Sequence, residues 1–192
     1  MTAVIQTNRV LDCEGLACPM PVVKTKKTME EIQAGEVLEV RATDKGSISD
    51  LQSWASRTGH QYIGLKEANG VFRHFLRKAS EHETKTETKY PYVISNEELA
   101  DRLASGETVC VLDVREPAEY SFARIPGALS IPMGELEEKL GQLQQDQEYY
   151  VICRSGSRSD IACQLLVERG FSKVKNVVPG MSGWQGATES DE

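Results

Sequence analysis

Two hydrophobic periods divide the chain. After Pro19, the positions Val22, Thr25, Met29 and Ile32 recur at helical spacing, while Lys24, Lys26, Lys27, Glu30 and Glu31 fall largely outside that stripe. This predicts an amphipathic helix with Pro19 in its first turn, where the missing N–H is harmless, and Gly35 as its stop. Val10-Leu11 reads as the end of a strand before it, and Val37-Leu38-Glu39-Val40 as a strand after it. A second helix is expected over Ser47 to Arg57 with Gly59 beyond it, then strands near Gln61–Lys66 and Val71–Arg77. The order β-α-β-α-β-β predicts a two-layer α/β sandwich with both helices on one face of a mixed sheet.

The second half alternates strictly. Ser95-Asn96-Glu97-Glu98 is a capping box that opens a helix to about Ser105. Val109-Cys110-Val111-Leu112 and Tyr149-Tyr150-Val151-Ile152 are continuous apolar runs of the kind found in buried parallel strands. Between them a short helix around Pro117–Phe122, a strand near Ala128–Ile131 and a helix from about Gly134 to Leu143 are expected. A helix carrying Ile161, Ala162, Leu165 and Leu166 and a strand over Val174–Val177 follow. This pattern predicts a three-layer α/β domain with a parallel sheet, whose ligands sit at the carboxyl ends of the strands.

Charge locates the boundary. Residues 1–80 hold 11 Lys+Arg against 9 Asp+Glu, a net +2; residues 81–192 hold 11 against 20, a net −9. The stretch Glu81 to Lys89 contains no aliphatic or aromatic residue and cannot bury enough apolar surface to offset the entropy of ordering it. The expected organisation is a domain over 1–80, a linker over 81–90 and a second domain over 91–192. No run approaches the length of a membrane span, and the N-terminus lacks the order of a signal peptide, so a cytoplasmic protein without a membrane partner is expected. Five unevenly spaced cysteines argue for reduced thiols, and with no C-x-x-C or H-x-x-x-H pair they give no support to a metal site.

Cys153 is the strongest chemical signal. It follows a buried strand and precedes a helix, so it faces the positive end of that helix dipole. Ser155-Gly156-Ser157 lets backbone N–H groups turn inward as an anion cradle, and Arg154 and Arg158 add positive charge. Each feature favours thiolate, which makes Cys153 a candidate nucleophile. The alternative is a buried core cysteine, which the polar stretch after it disfavours. Cys18 precedes Pro19 at an expected helix N-cap, where thiolate is again favoured. Cys13 could form a loop disulfide, resolve an adduct on a neighbouring thiol or be incidental; Cys110 and Cys163 sit on apolar elements and read as structural. Asp113 could line the site or organise the next turn, and His60 most simply ends a helix or packs.

Asp113-Val114-Arg115-Glu116-Pro117, Glu119-Tyr120, Ile125-Pro126-Gly127-Ala128, Ile131-Pro132 and the loop Cys153–Arg158 resemble a single-domain rhodanese over about Tyr92 to Gln185. Ala123-Arg124 departs from the Gly-His usual in that family. Leu11-Asp12, Gly15-Leu16, Cys18-Pro19, Pro21, the lysines after it, Trp54 and Gly59-His60 resemble a TusA/SirA-type sulfur carrier from about Arg9 to Lys78, with Asp44-Lys45 where Asp-Pro is frequent. The first resemblance implies that Cys153 carries a persulfide held by the N–H groups of residues 154–158. The second implies that Cys18 accepts a persulfide and passes it on.

Together they imply a sulfurtransferase that takes sulfane sulfur from thiosulfate or a low-molecular-weight persulfide and delivers it to a thiol or protein acceptor without a cofactor. A non-enzymatic sulfur carrier or adaptor is the alternative. A phosphatase loop resembles Cys, five residues, then Arg; here Arg158 follows Cys153 after only four, a shorter cradle. Nucleic-acid binding finds little support, since the first half carries only +2 and no paired surface aromatics.

Overall fold

The computed structural model describes residues 4–80, 83 and 89–191. They fall into two compact units that divide near residue 81. Most of the segment expected as a linker, residues 81, 82 and 84–88, lies outside the described residues. Tyr90, assigned to that linker by its polar neighbours, is instead a core residue of the second unit. Its N–H donates to Asp160 Oδ1 at 2.8 Å and its hydroxyl to the Val174 carbonyl at 2.9 Å. The linker composition therefore ends at Lys89, where an aromatic side chain regains enough buried area to be held.

The first unit runs β1 (Arg9–Cys13), α1 (Met20–Glu31), β2 (Val37–Ala42), α2 (Gly46–Thr58), β3 (Gln61–Ala68) and β4 (Val71–Arg77). The sheet order is β1-β2-β4-β3, with β1 and β2 parallel and the other pairs antiparallel. Leu38, Val40 and Leu76 of the sheet share one core with Met29 of α1 and Leu51, Trp54 and Ala55 of α2. Helix α1 starts later than expected: Pro19 is its N-cap and Pro21 occupies the first turn. It also ends earlier, capped at Ile32, and Gly35 with φ 91° serves the turn into β2. Gly59, left-handed at φ 80°, ends α2 as the pattern predicts.

One buried polar group of this unit was not legible from the pattern. His74 on β4 is fully enclosed, with Nε2 3.0 Å from Ser47 Oγ and Nδ1 2.8 Å from the Tyr62 hydroxyl. Burial lowers its pKa to about 4. The unfolded chain holds this imidazole near 6.5, so between the two values the unfolded state binds more protons. Stability is then fully present above about pH 6.5 and is lost as pH falls towards 4, by roughly 3 kcal/mol at the acid end. Hydrogen exchange of the β2 and β4 amides in the full chain, corrected for intrinsic rates, should show protection falling over that window, and His74→Gln should flatten the dependence.

The second unit runs β5 (Val93–Ser95), α3 (Asn96–Ala104), β6 (Cys110–Asp113), α4 (Pro117–Phe122), β7 (Leu129–Ser130), β8 (Tyr149–Ile152), α5 (Ser157–Glu168) and β9 (Val174–Val178). All strand pairs are parallel, in the order β5-β9-β8-β6-β7. Strand alternation separates two cores. Tyr149, Val151 and Cys153 join Ala162, Cys163 and Leu166 on one side, while Tyr150 and Ile152 join Leu99 and Ile125 on the other. Helices thus cover both faces, the three-layer α/β arrangement expected. The capping box at Ser95 and Glu98 is formed in both directions.

The helix expected over 134–143 is absent; two short 3-10 turns, Met133–Glu135 and Leu140–Gln142, stand there. Gly134 and Gly141 each disfavour helix by about 1 kcal/mol relative to alanine, leaving too few residues between them to nucleate one. Leu136 and Leu143 still reach the core from the turns.

Candidate active site

Cys153 follows the last residue of β8, the central strand, and α5 starts four residues later. The turn between them depends on Gly156, at φ 92° and ψ −9°, which caps α5 and lets its N–H donate to Cys153 Sγ at 3.1 Å. The Ser159 hydroxyl lies 3.3 Å from the same sulfur and 2.6 Å from Asn176 Oδ1, and Asn176 Nδ2 donates to the Gly156 carbonyl at 3.1 Å. A second glycine fixes the start of the loop. The N–H groups of Met181 and Ser182 donate to the carbonyls of Cys153 and Arg154, both at 2.8 Å. A Cβ on Gly180 would stand 2.5 Å from the Cys153 oxygen, and Asn96 holds Gly180 from the other side by two hydrogen bonds. The thiol therefore lies beneath the loop, buried, with its sulfur turned to the N-terminal end of α5.

The residues expected around it separate into two groups. Arg154 and Ser155 are exposed, and Ser157 is half-buried with its hydroxyl 3.4 Å from that of Ser155. Among the described residues Arg154 has no ion pair. Arg158 is buried, and its two terminal nitrogens donate to the Glu119 carboxylate at 2.7 and 2.9 Å. Glu83 approaches its Nε at 3.8 Å. Burial opposes the guanidinium charge, yet Glu119, with Cys153 and Glu83, more than offsets this and raises its pKa. Arg158 thus acts at the base of the loop and not on its surface. Asp113 binds Arg115 through both oxygens and accepts the Arg115 N–H, so it organises the turn after β6.

Cys18 sits in a different environment. It is exposed, two residues before α1 begins, and not at the N-cap. Its N–H donates to Asp44 Oδ2 at 3.1 Å and its thiol to Asp50 Oδ2 at 2.5 Å. The Asp50 hydrogen bond, partial desolvation and the charges of Asp50 and Asp44 push the thiol above its ordinary value. This corrects the expectation of a favoured thiolate: the helix dipole fades within about one turn, and two carboxylates brought in from the α2 end outweigh it.

Cys13 ends β1 fully buried in the core of the first unit, and burial raises its pKa, which argues for packing over thiol exchange. Cys163 is buried on α5 and likewise raised, by burial, Asp160 and Cys153. Cys110 packs half-buried on β6. His60 stacks near Trp54, with ring centroids 5.4 Å apart, and accepts the Ala79 N–H. Asp44 and Glu119 stand in the sequence motifs with no role read for them, and Asp50, Ser159, Asn176 and Gly180 are not picked out; of these four, Asn176 leaves a trace as a polar residue within β9. Among the described residues no group of His, Cys, Asp and Glu could hold a metal ion, and no helix is long and apolar enough to cross a membrane.

Comparison with known proteins assigns each unit a relative. The family model "Sulfurtransferase TusA" matches residues 9–78 and the model "Rhodanese-like domain" matches residues 95–187. The second unit is similar to a rhodanese-like domain protein from Staphylococcus aureus, with a TM-score of 0.50 and 29% identity over 53% of this chain and 100% of that one. The "Sulfur carrier protein TusA" of Allochromatium vinosum is 46% identical over 70 residues, 36% of this chain and 91% of that protein. A single protein of Bacillus subtilis (strain 168), "Putative sulfur carrier protein YrkF", matches both units at once, 51% identical over 180 residues that span 94% of this chain and 97% of its own length. The chain therefore belongs to the family joining a TusA sulfurtransferase domain, which here holds the exposed thiol before α1, to a rhodanese-like domain, which here holds the buried thiol under its N–H loop.

Proposed function

We propose that the chain moves sulfane sulfur from thiosulfate or a low-molecular-weight persulfide through a Cys153 persulfide to a thiol acceptor, with Cys18 as an acceptor on the same chain. The observation that carries this reading is the contact of Cys153 Sγ with the Gly156 N–H and the Ser159 hydroxyl at the N-terminal end of α5. The Gly156 N–H and the N-terminal end of α5, both directed at that point, favour an anionic sulfur there.

With thiosulfate, the Cys153 thiolate attacks the sulfane sulfur. A new S–S bond forms, the old one breaks, and sulfite leaves with the electron pair. An acceptor thiolate then attacks the outer sulfur of Cys153, and the Cys153 thiolate is the leaving group. No net redox change occurs, so neither a metal nor an organic cofactor enters the step. Arg154, exposed beside the thiol, supplies charge that draws an anionic donor; Arg158 supports the loop from below through Glu119. Joining both modules on one chain holds the second thiol at an effective concentration in the millimolar range if the linker can span the sites. Free thiols, with Cys18 exposed, fit a cytoplasmic setting.

The test is peptide mass spectrometry after incubation with thiosulfate. One added sulfur atom is expected on the Cys153 peptide and then on the Cys18 peptide, with the second signal lost in Cys153→Ser. Sulfur on neither peptide overturns the reading. The names of the sulfur carrier relatives favour a second reading, in which the chain delivers sulfur to partner enzymes with little turnover of its own. Rapid multiple-turnover thiocyanate formation from thiosulfate and cyanide would exclude it.

A further inference from the structure

The loop around Cys18 gathers negative charge where an acceptor thiol needs its opposite. Cys18 donates its thiol proton to Asp50 and its N–H to Asp44, and Asp44 also accepts the Gly46 N–H through its other oxygen. Gly15 N–H donates to Thr43 Oγ1 at 2.9 Å, which pins the loop against the same segment. Among the described residues neither aspartate forms an ion pair with a lysine or arginine. The sulfur is nonetheless exposed to solvent. An exposed thiol with no protection from burial is thus held to its proton by a carboxylate, and only the thiolate reacts at a useful rate.

We propose that Asp50 determines the specificity of sulfur transfer at Cys18: it holds the thiol proton against small oxidants and alkylating agents, and it releases the thiolate to a persulfide donor that brings a positive charge up to the carboxylate. The proposal rests on the reading of Cys18 as a sulfur acceptor. Its partner is a persulfide with a cationic group beside the sulfur. When that cation pairs with Asp50, the carboxylate no longer opposes the thiolate, and the Cys18 proton passes to solvent. The thiolate attacks the outer sulfur of the donor hydropersulfide. The donor S–S bond breaks with its electron pair on the donor thiolate, which takes a proton from solvent, and the new S–S bond stands on Cys18. One thiol and one hydropersulfide enter and one of each leaves, so no oxidant or reductant is required.

Two measurements on the full chain test this. The first is alkylation of Cys18 by iodoacetamide from pH 6 to 10, read on the Cys18 peptide. Asp50→Asn should lower the midpoint and raise the rate at pH 7 by about tenfold or more, while Asp50→Glu stays near wild type. The second is sulfur loading of Cys18 from two donors of similar size and opposite charge, cysteamine persulfide and 3-mercaptopropionate persulfide. The wild type should load faster from the cationic donor by about tenfold, and Asp50→Asn should bring the two within about twofold of each other.

Alkylation that is unchanged or slower in Asp50→Asn overturns the proposal, and so does a wild type indifferent to donor charge. Alkylation that shifts as expected with no sulfur on Cys18 from either donor separates the two claims: the acceptor reading fails, and proton retention by Asp50 stands.

Discussion

Replacing Cys153 with serine is expected to reduce thiosulfate:cyanide sulfurtransferase activity by roughly a thousandfold or more, since a hydroxyl in the same place supplies no anionic nucleophile near neutral pH. The fold should tolerate the change, because the Gly156 N–H and the Ser159 hydroxyl that meet the sulfur can also meet an oxygen. Cys110→Ser and Cys163→Ala should keep most of the activity. Cys110 packs half-buried on β6, and the Cys163 thiol lies buried on α5 with its pKa pushed up, far from a reactive form. Alanine is the better probe at Cys163, where a hydroxyl would be buried in an apolar cluster. Steady-state rates with melting curves for all three variants decide the matter. A Cys163→Ala variant that matched Cys153→Ser in lost activity while remaining folded would show that the nucleophile was misassigned.

The largest effect on stability is expected at Glu119. Arg158 is buried, and both of its terminal nitrogens end on the Glu119 carboxylate. Glu119→Gln removes the opposing charge and strands a guanidinium, at a cost of about 3–5 kcal/mol. Glu83, 3.8 Å from Arg158 Nε, should recover only part of it. Set against the roughly 5–15 kcal/mol of a typical domain, such a loss should lower the melting temperature of the second unit by more than about 10 °C. The double variant Glu119→Gln/Arg158→Met should regain much of the lost stability, because no charge is then left buried. Calorimetry of the wild type and the two variants supplies the comparison. A single variant within a few degrees of wild type would mean that the pair is not the support of the loop.

What could be read in the sequence is what lies close along the chain. Cys153 to Arg158 is one continuous segment between a strand and a helix, so its turn, its glycine and its N–H groups are set by neighbours. The continuous apolar run of β8 likewise announces a strand buried on both faces. The partners that decide the chemistry are remote. Glu119 lies 39 residues from Arg158, and Asp50 lies 32 residues from Cys18. For that reason Arg158 reads in the sequence as a free cation, and Cys18 as a thiol governed by the next helix alone. Residues 134–143 failed for a different reason. Leu136, Leu140 and Leu143 have helical spacing, but spacing records only which side chains must reach the core, and two glycines left the backbone free to do so in shorter turns.

The seam that joins Cys153 and Arg154 to Met181 and Ser182 also constrains how such a site can diversify. Both carbonyls at the start of the loop are stitched to the segment after β9, and at Gly180 there is no room even for a methyl group. An insertion that lengthened the loop for a bulkier tetrahedral group could not be absorbed at that end. It would have to enter on the Gly156 side, where the chain turns into α5. Drift in loop length is thereby channelled into the first turn of the helix, and the reacting sulfur keeps its address while the mouth around it changes.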